Sequence, residues 1–198
     1  MKKILVLMLC ALAMASCNNN RGKVTVKSDD GKTTATVDLS SAEKSTTEMQ
    51  NKAEELKKLA PLTVDQLKTL LPEELVGIKR SNYNASTAMG IAAGDAEYRK
   101  DDNTVIRISV FDCAGETGAA YYSATYWMKM NMQSESDNGY TKTVDFMNAK
   151  AVESFDKSSN KYTLVFLAND RVLVSIEGEN VPLDDLKDAA KSLNVKVS

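Results

Sequence analysis

Val105-Ile106-Arg107-Ile108-Ser109-Val110-Phe111 is the stretch that decides the fold. Ile106, Ile108 and Val110 alternate with Arg107 and Ser109, the two-residue period of a strand with one face in an apolar core and the other in polar surroundings. Just upstream, Lys100-Asp101-Asp102-Asn103 supplies turn chemistry, and Ala96 and Tyr98 precede it at strand spacing. The two runs therefore pair as neighbours in an antiparallel sheet.

Downstream, strands are expected over residues 140–144, 149–155, 162–167 and 172–176, joined by turns at Met147-Asn148, residues 156–160 and Asn169-Asp170. Connections this short favour an antiparallel meander. Upstream, residues 76–83 read as a first strand and the small-residue stretch 84–94 as a loop. Helical spacing marks residues 45–60, where Met49, Ala53, Leu56 and Ala60 recur before Pro61. Thr63 and Gln66 stand in capping-box relation ahead of Leu67, Leu70 and Leu71. Gly115 and Gly118 precede a small-residue and aromatic helix over residues 119–132. The terminal helix has Pro182 in its first turn, with Asp184 and Asp185 near the positive end of its dipole. Runs of strands separated from helices predict an α+β fold: an antiparallel sheet of about six to seven strands flanked by helices, preceded by an N-terminal hairpin and helices. That arrangement resembles the PsbP and Mog1 architecture, a comparison of pattern that implies no activity.

With 198 residues, 43% of them hydrophobic and 26% charged, the chain is long enough for one well-buried core. It contains no histidine, which removes imidazole bases, Ser-His-Asp and Cys-His nucleophiles and His-ligated zinc. Its formal charge is −2 without a basic block, so nucleic acid is not an expected partner.

Residues 1–17 read as a targeting segment, with Lys2 and Lys3 ahead of an uncharged apolar run over residues 4–15. A helix of that run spans about 18 Å, too short for a hydrocarbon core of about 30 Å. Met14-Ala15-Ser16-Cys17 resembles the bacterial lipobox, with Met where Leu is usual. The resemblance implies a lipoprotein signal peptide over residues 1–16 and lipidation of Cys17. It implies a membrane anchor and a place in the cell envelope, with the periplasmic face of the outer membrane favoured because Asn18-Asn19-Asn20 carries no acidic residue. Cys10 would leave with the signal peptide, so Cys113 would be the one free thiol and no disulfide could form within the chain. Without Lys2 and Lys3, 23 basic residues face 27 acidic ones, a net charge of −4.

Residues 17–45 then read as a lipid-anchored tether, in which Val24 and Val26, the turn around Asp29-Asp30-Gly31, and Ala35 and Val37 suggest a β-hairpin. Residues 46–198 form a single α+β domain. Within it, residues 67–80, Ala96-Glu97-Tyr98, residues 108–115 and 171–178 together resemble a family of exported bacterial lipoproteins of unknown function. That resemblance brings no catalytic residue.

The side chains offer few chemical constellations. Tyr122, Tyr126 and Trp127, with Tyr121, could line a ligand cavity between helix and sheet. Met128, Met130 and Met132 suggest Cu(I), but i and i+2 do not share a helix face, so core packing is the expectation. Cys113 reads as a buried strand-end thiol, and Asp112 with Glu116 as solvated turn charges. No cofactor is expected. The first reading of function is a noncatalytic binding module for an envelope protein, another envelope component or a small apolar ligand. A carboxylate- or tyrosine-based enzyme and a methionine-based metal carrier are the alternatives.

Overall fold

The computed structural model describes residues 23–28, 33–38, 42–193 and 195. Eleven strands form one sheet: β1 (Lys23–Lys27), β2 (Thr34–Asp38), β3 (Glu74–Leu75), β4 (Ile78–Ala88), β5 (Ile91–Arg99), β6 (Val105–Asp112), β7 (Met132–Ser136), β8 (Gly139–Phe146), β9 (Ala149–Asp156), β10 (Lys161–Ala168) and β11 (Val172–Glu179). Among the described residues four helices accompany them: α1 (Ala42–Lys57), α2 (Val64–Leu70), α3 (Gly115–Thr125) and α4 (Leu183–Ser192). The fold is thus α+β with a large antiparallel sheet.

Strand order is β1-β2-β7-β8-β9-β10-β11-β6-β5-β4-β3. From β3 to β6 the chain marches inward from one edge. It then crosses by α3 and a 3-10 turn (Tyr126–Lys129) and meanders back from β7 to β11, which docks antiparallel to β6. The N-terminal hairpin joins the same sheet, with Thr34 opposite Glu135 and Val37 opposite Met132.

The alternation in β6 does what its period demands. Ile106, Ile108 and Val110 enter a core closed by Leu67 and Leu70 of α2 and by Leu186, Ala189 and Ala190 of α4. Phe111 points to the other face, where Ala53 and Leu56 of α1 pack with Ala119 and Tyr122 of α3. Two helices therefore lie on each face. α2 starts as its sequence indicates: Thr63 Oγ1 accepts from Gln66 N at 3.3 Å and Gln66 Oε1 from Thr63 N at 2.8 Å.

Several expectations need correction. The sheet has eleven strands rather than six or seven, because short and polar strands escape a search for apolar alternation. Residues 84–94 are not a loop. β4 runs to Ala88, turns at Met89 and Gly90, both at positive φ, and returns as β5 from Ile91. Positive φ at both central residues is the backbone of a tight hairpin. Gly94 belongs to this pairing, and a Cβ there would sit 3.0 Å from the Asn84 carbonyl and 3.0 Å from Leu71 Cδ1. The helix expected over residues 119–132 is shorter: α3 ends at Thr125, and by Met132 the chain is strand β7.

Asp112 is not a solvated turn charge. It is fully buried at the end of β6 and accepts from Arg171 Nε at 2.8 Å, Arg171 Nη2 at 3.0 Å and Leu62 N at 2.7 Å. Arg171 Nη2 also donates to the Ala60 carbonyl at 2.9 Å, so the pair ties the α1–α2 connection to the sheet. The Asp112 carboxylate in turn holds the guanidinium above its ordinary pKa.

Candidate functional site

A sheet face either finds a hydrophobic cover or stays polar toward water. On the α1/α3 face, the cover reaches Phe111, Val152, Val165, Leu167 and Leu173. Further along the strands the same face turns polar. Register places Ser134, Thr141, Ser154 and Thr163 side by side across β7 to β10. The row continues through Glu177, Arg107, Glu97 and Asn82 across β11, β6, β5 and β4.

The four hydroxyls border a cavity of about 590 Å³, together with Asp156 and Lys161. Among the described residues, none of these four hydroxyls has a hydrogen-bond partner in the protein. The neighbouring charges do have partners. Lys161 Nζ lies 3.3 Å from Glu177 Oε2, and Arg107 bridges Glu97 at 3.1 Å and Glu179 at 3.3 Å. Burial pushes the Arg107 guanidinium down, but the hydrogen bonds it donates to the Glu179 and Glu97 carboxylates reverse this and leave it above its ordinary value. Ser109 Oγ meets Asp95 Oδ1 at 2.7 Å beside a smaller cavity of about 200 Å³. The row thus joins hydroxyls open to a ligand with charges that largely neutralise one another. A polar, uncharged molecule fits this better than an ion. Among the described residues, no base is hydrogen-bonded to any of the four hydroxyls.

The residues singled out in the sequence lie elsewhere. Cys17 is outside the described residues. Tyr122 and Tyr126 are buried in the α1/α3 core, edge to face with ring centres 5.9 Å apart, while Trp127 is 46% exposed. Lys129 stands over both tyrosine rings and pairs with Asp170 at 2.7 Å. The two tyrosines fill space between helix and sheet. Met128 is buried, while Met130 and Met132 are half-buried on the extended chain that follows. Among the described residues, no three carboxylates or cysteines come together as a metal cluster. Cys113 is buried, and desolvation with the nearby Asp112 pushes its thiol up to about 12. It is therefore held as an unreactive thiol.

Two further places went unread in the sequence. A cavity of about 570 Å³ between the end of α4 and the ends of β8 and β10 is lined by Phe146, Phe166, Leu167, Leu193 and Val195, and its signal is the apolar close of three separate elements. On the α2/α4 face, the buried Glu153 accepts from Tyr140 at 2.8 Å and pairs with Lys187 at 2.7 Å and Lys142 at 3.1 Å. Burial raises its pKa, but hydrogen bonds from Lys187, Tyr140 and Lys142 outweigh this and hold it below the ordinary carboxylate value. This cluster fastens α4 to β8 and β9. Comparison with protein-family models, with curated proteins and with solved structures finds no match to this chain.

Proposed function

We propose that the chain is a lipid-anchored envelope protein with a noncatalytic body, held by Cys17 at the periplasmic face of the outer membrane. Its open sheet face binds a neutral, hydroxyl-rich ligand of the envelope, of the glycan class. The single observation behind this reading is the in-register row Ser134, Thr141, Ser154 and Thr163, which borders a cavity and whose hydroxyls have no hydrogen-bond partner among the described residues. Helices on both faces of an antiparallel sheet also support the PsbP/Mog1-like reading of the fold. Among the described residues no helix is long and apolar enough to cross a membrane.

The enzyme alternative has one specific observation in its favour, the Tyr140–Glu153 pair. Desolvation and the bond to Glu153 push the Tyr140 hydroxyl to higher pKa, and Glu153 is already saturated by three donors. Neither group is poised to exchange a proton near neutral pH.

The anchor is tested by mass spectrometry of the mature N-terminus: acylated Cys17 is expected, and a soluble chain starting elsewhere overturns it. The ligand is tested by co-sedimentation of the full-length protein in detergent with isolated peptidoglycan sacculi. Retention is expected for the wild type and its loss for Ser154→Glu/Thr163→Glu. Equal retention of both, or none of either, overturns the glycan reading.

A further inference from the structure

Among the described residues the sheet has two free edges, which differ in how they are guarded. At one edge β1 has five residues with Lys23 and Lys27 at its ends, the usual charged block against pairing. At the other, β3 covers β4 at Ile78 and Lys79 and the Glu73 carbonyl accepts from Arg80 N at 2.9 Å, so among the described residues the outer side of the strand is bare from Ser81 to Ala88. The bare segment Ser81-Asn82-Tyr83-Asn84-Ala85-Ser86-Thr87-Ala88 contains neither charge nor proline.

Its hydrogen-bonding pattern follows from the hairpin. In a two-residue turn the flanking pair, Ala88 and Ile91, is the hydrogen-bonded one, and the pattern alternates from there. Asn82, Asn84, Ser86 and Ala88 therefore turn their backbone groups toward β5, and Tyr83, Ala85 and Thr87 turn theirs outward. The outward N–H of Tyr83 is taken by the Asn82 side chain at 2.8 Å, a substitute for a missing strand. A register shift between Arg80 and Asn82 ends this regular segment on one side and the Met89-Gly90 turn ends it on the other. Seven residues remain, Asn82 to Ala88, with Ala85 at their centre.

From this geometry we infer that β4 pairs antiparallel with β4 of a second copy of this chain, about a two-fold axis through Ala85. The axis is normal to the sheet, so each face continues into the same face of the partner. Tyr83 then faces Thr87 across the axis, Ala85 faces Ala85, and these three outward residues supply six backbone hydrogen bonds once the Asn82 side chain gives up the Tyr83 N–H to the partner strand. Asn84 stands opposite Ser86 on the polar face, and the small Ala85 removes any clash at the centre. Charge favours this occupant: neutral residues meet neutral residues throughout, and Arg80 falls beside the partner's turn. A charged peptide would find no complement on this strand. The contact is isologous and closes on itself, which leaves no further edge of this kind free.

The test uses full-length protein in detergent. Asn84→Cys/Ser86→Cys places thiols opposite each other only between copies, because directly opposed positions lie within disulfide reach. Mild oxidation should give a chain dimer on a non-reducing gel. Asn84→Lys/Ser86→Lys sets like charges opposite one another, and Ala85→Pro removes only an outward N–H. Both should weaken self-association by at least about tenfold in light scattering between about 1 and 100 μM, a range suited to a small interface. An unchanged thermal melt of the lysine variant should show that the fold is intact. A wild type that stays monomeric over this range, a dimer untouched by either variant, or a disulfide dimer absent despite reactive thiols overturns the inference.

Discussion

The two faces of the sheet answer the same physical demand in opposite ways. Toward α2 and α4 the strands present Ile106, Ile108, Val110, Leu164, Phe166, Val174 and Ile176, all of them buried. Toward α1 and α3 an apolar patch around Phe111, Val165 and Leu173 gives way to the row from Ser134 to Asn82. One face is spent on stability, and half of the other is left available to a ligand. Substitutions should therefore separate stability from binding according to the face they touch.

The largest effect is expected where a charge is sealed on the covered side. Asp112→Ala would leave the Arg171 guanidinium buried without its carboxylate and free the Leu62 N–H. Breaking such a pair costs about 3–5 kcal/mol, read as a lower urea midpoint at unchanged slope. A loss below about 1 kcal/mol would show that the α1–α2 connection does not depend on this pair. Next comes Leu67→Ala in α2, whose side chain is fully buried in the same core, with an expected loss of about 3 kcal/mol from transfer and cavity together. An equal substitution on the open row should cost far less, and similar losses on both faces would erase the distinction.

A smaller effect, visible through pH, is expected at Glu153. Its carboxyl is held below the ordinary value, so the stabilisation is present above the unfolded-state pKa of about 4.3 and fades as pH falls through the lower folded-state value. Glu153→Gln should lower stability by about 1–2 kcal/mol at neutral pH and flatten the acid limb of a plot of stability against pH. Parallel acid limbs for the wild type and the variant would mean that Lys187 and Lys142 do not act through this carboxylate.

Legibility in the sequence followed hydrophobic contrast. The alternation in β6, the capping box at Thr63 and the terminal helix were readable because each carries a strong local pattern. The 84–88 part of β4 was not, since an edge strand made of Asn, Ala, Ser and Thr has no buried partner to demand apolar residues. Asp112 looked like any turn carboxylate because its partner Arg171 is 59 residues away. Tyr122 and Tyr126 could equally have lined a cavity or filled one, and only the packing of α1 against α3 closes that space. The hydroxyl row is made of single residues from four strands. Each is an unremarkable polar position, and their juxtaposition depends on strand order and on where the helices stop.

The smallest effect on stability and the largest on binding should coincide in that row. Thr141→Ala, Ser154→Ala and Thr163→Ala remove half-buried hydroxyls that satisfy no other protein group, so each should shift stability by no more than about 0.5 kcal/mol. The triple variant should still lose retention on sacculi, because a ligand hydrogen-bonded to several adjacent hydroxyls loses all those partners at once. Triple-variant stability reduced by several kcal/mol would instead assign the hydroxyls to the fold. In that case the open face would be as structural as the one beneath α2 and α4, and the division of labour between them would fall.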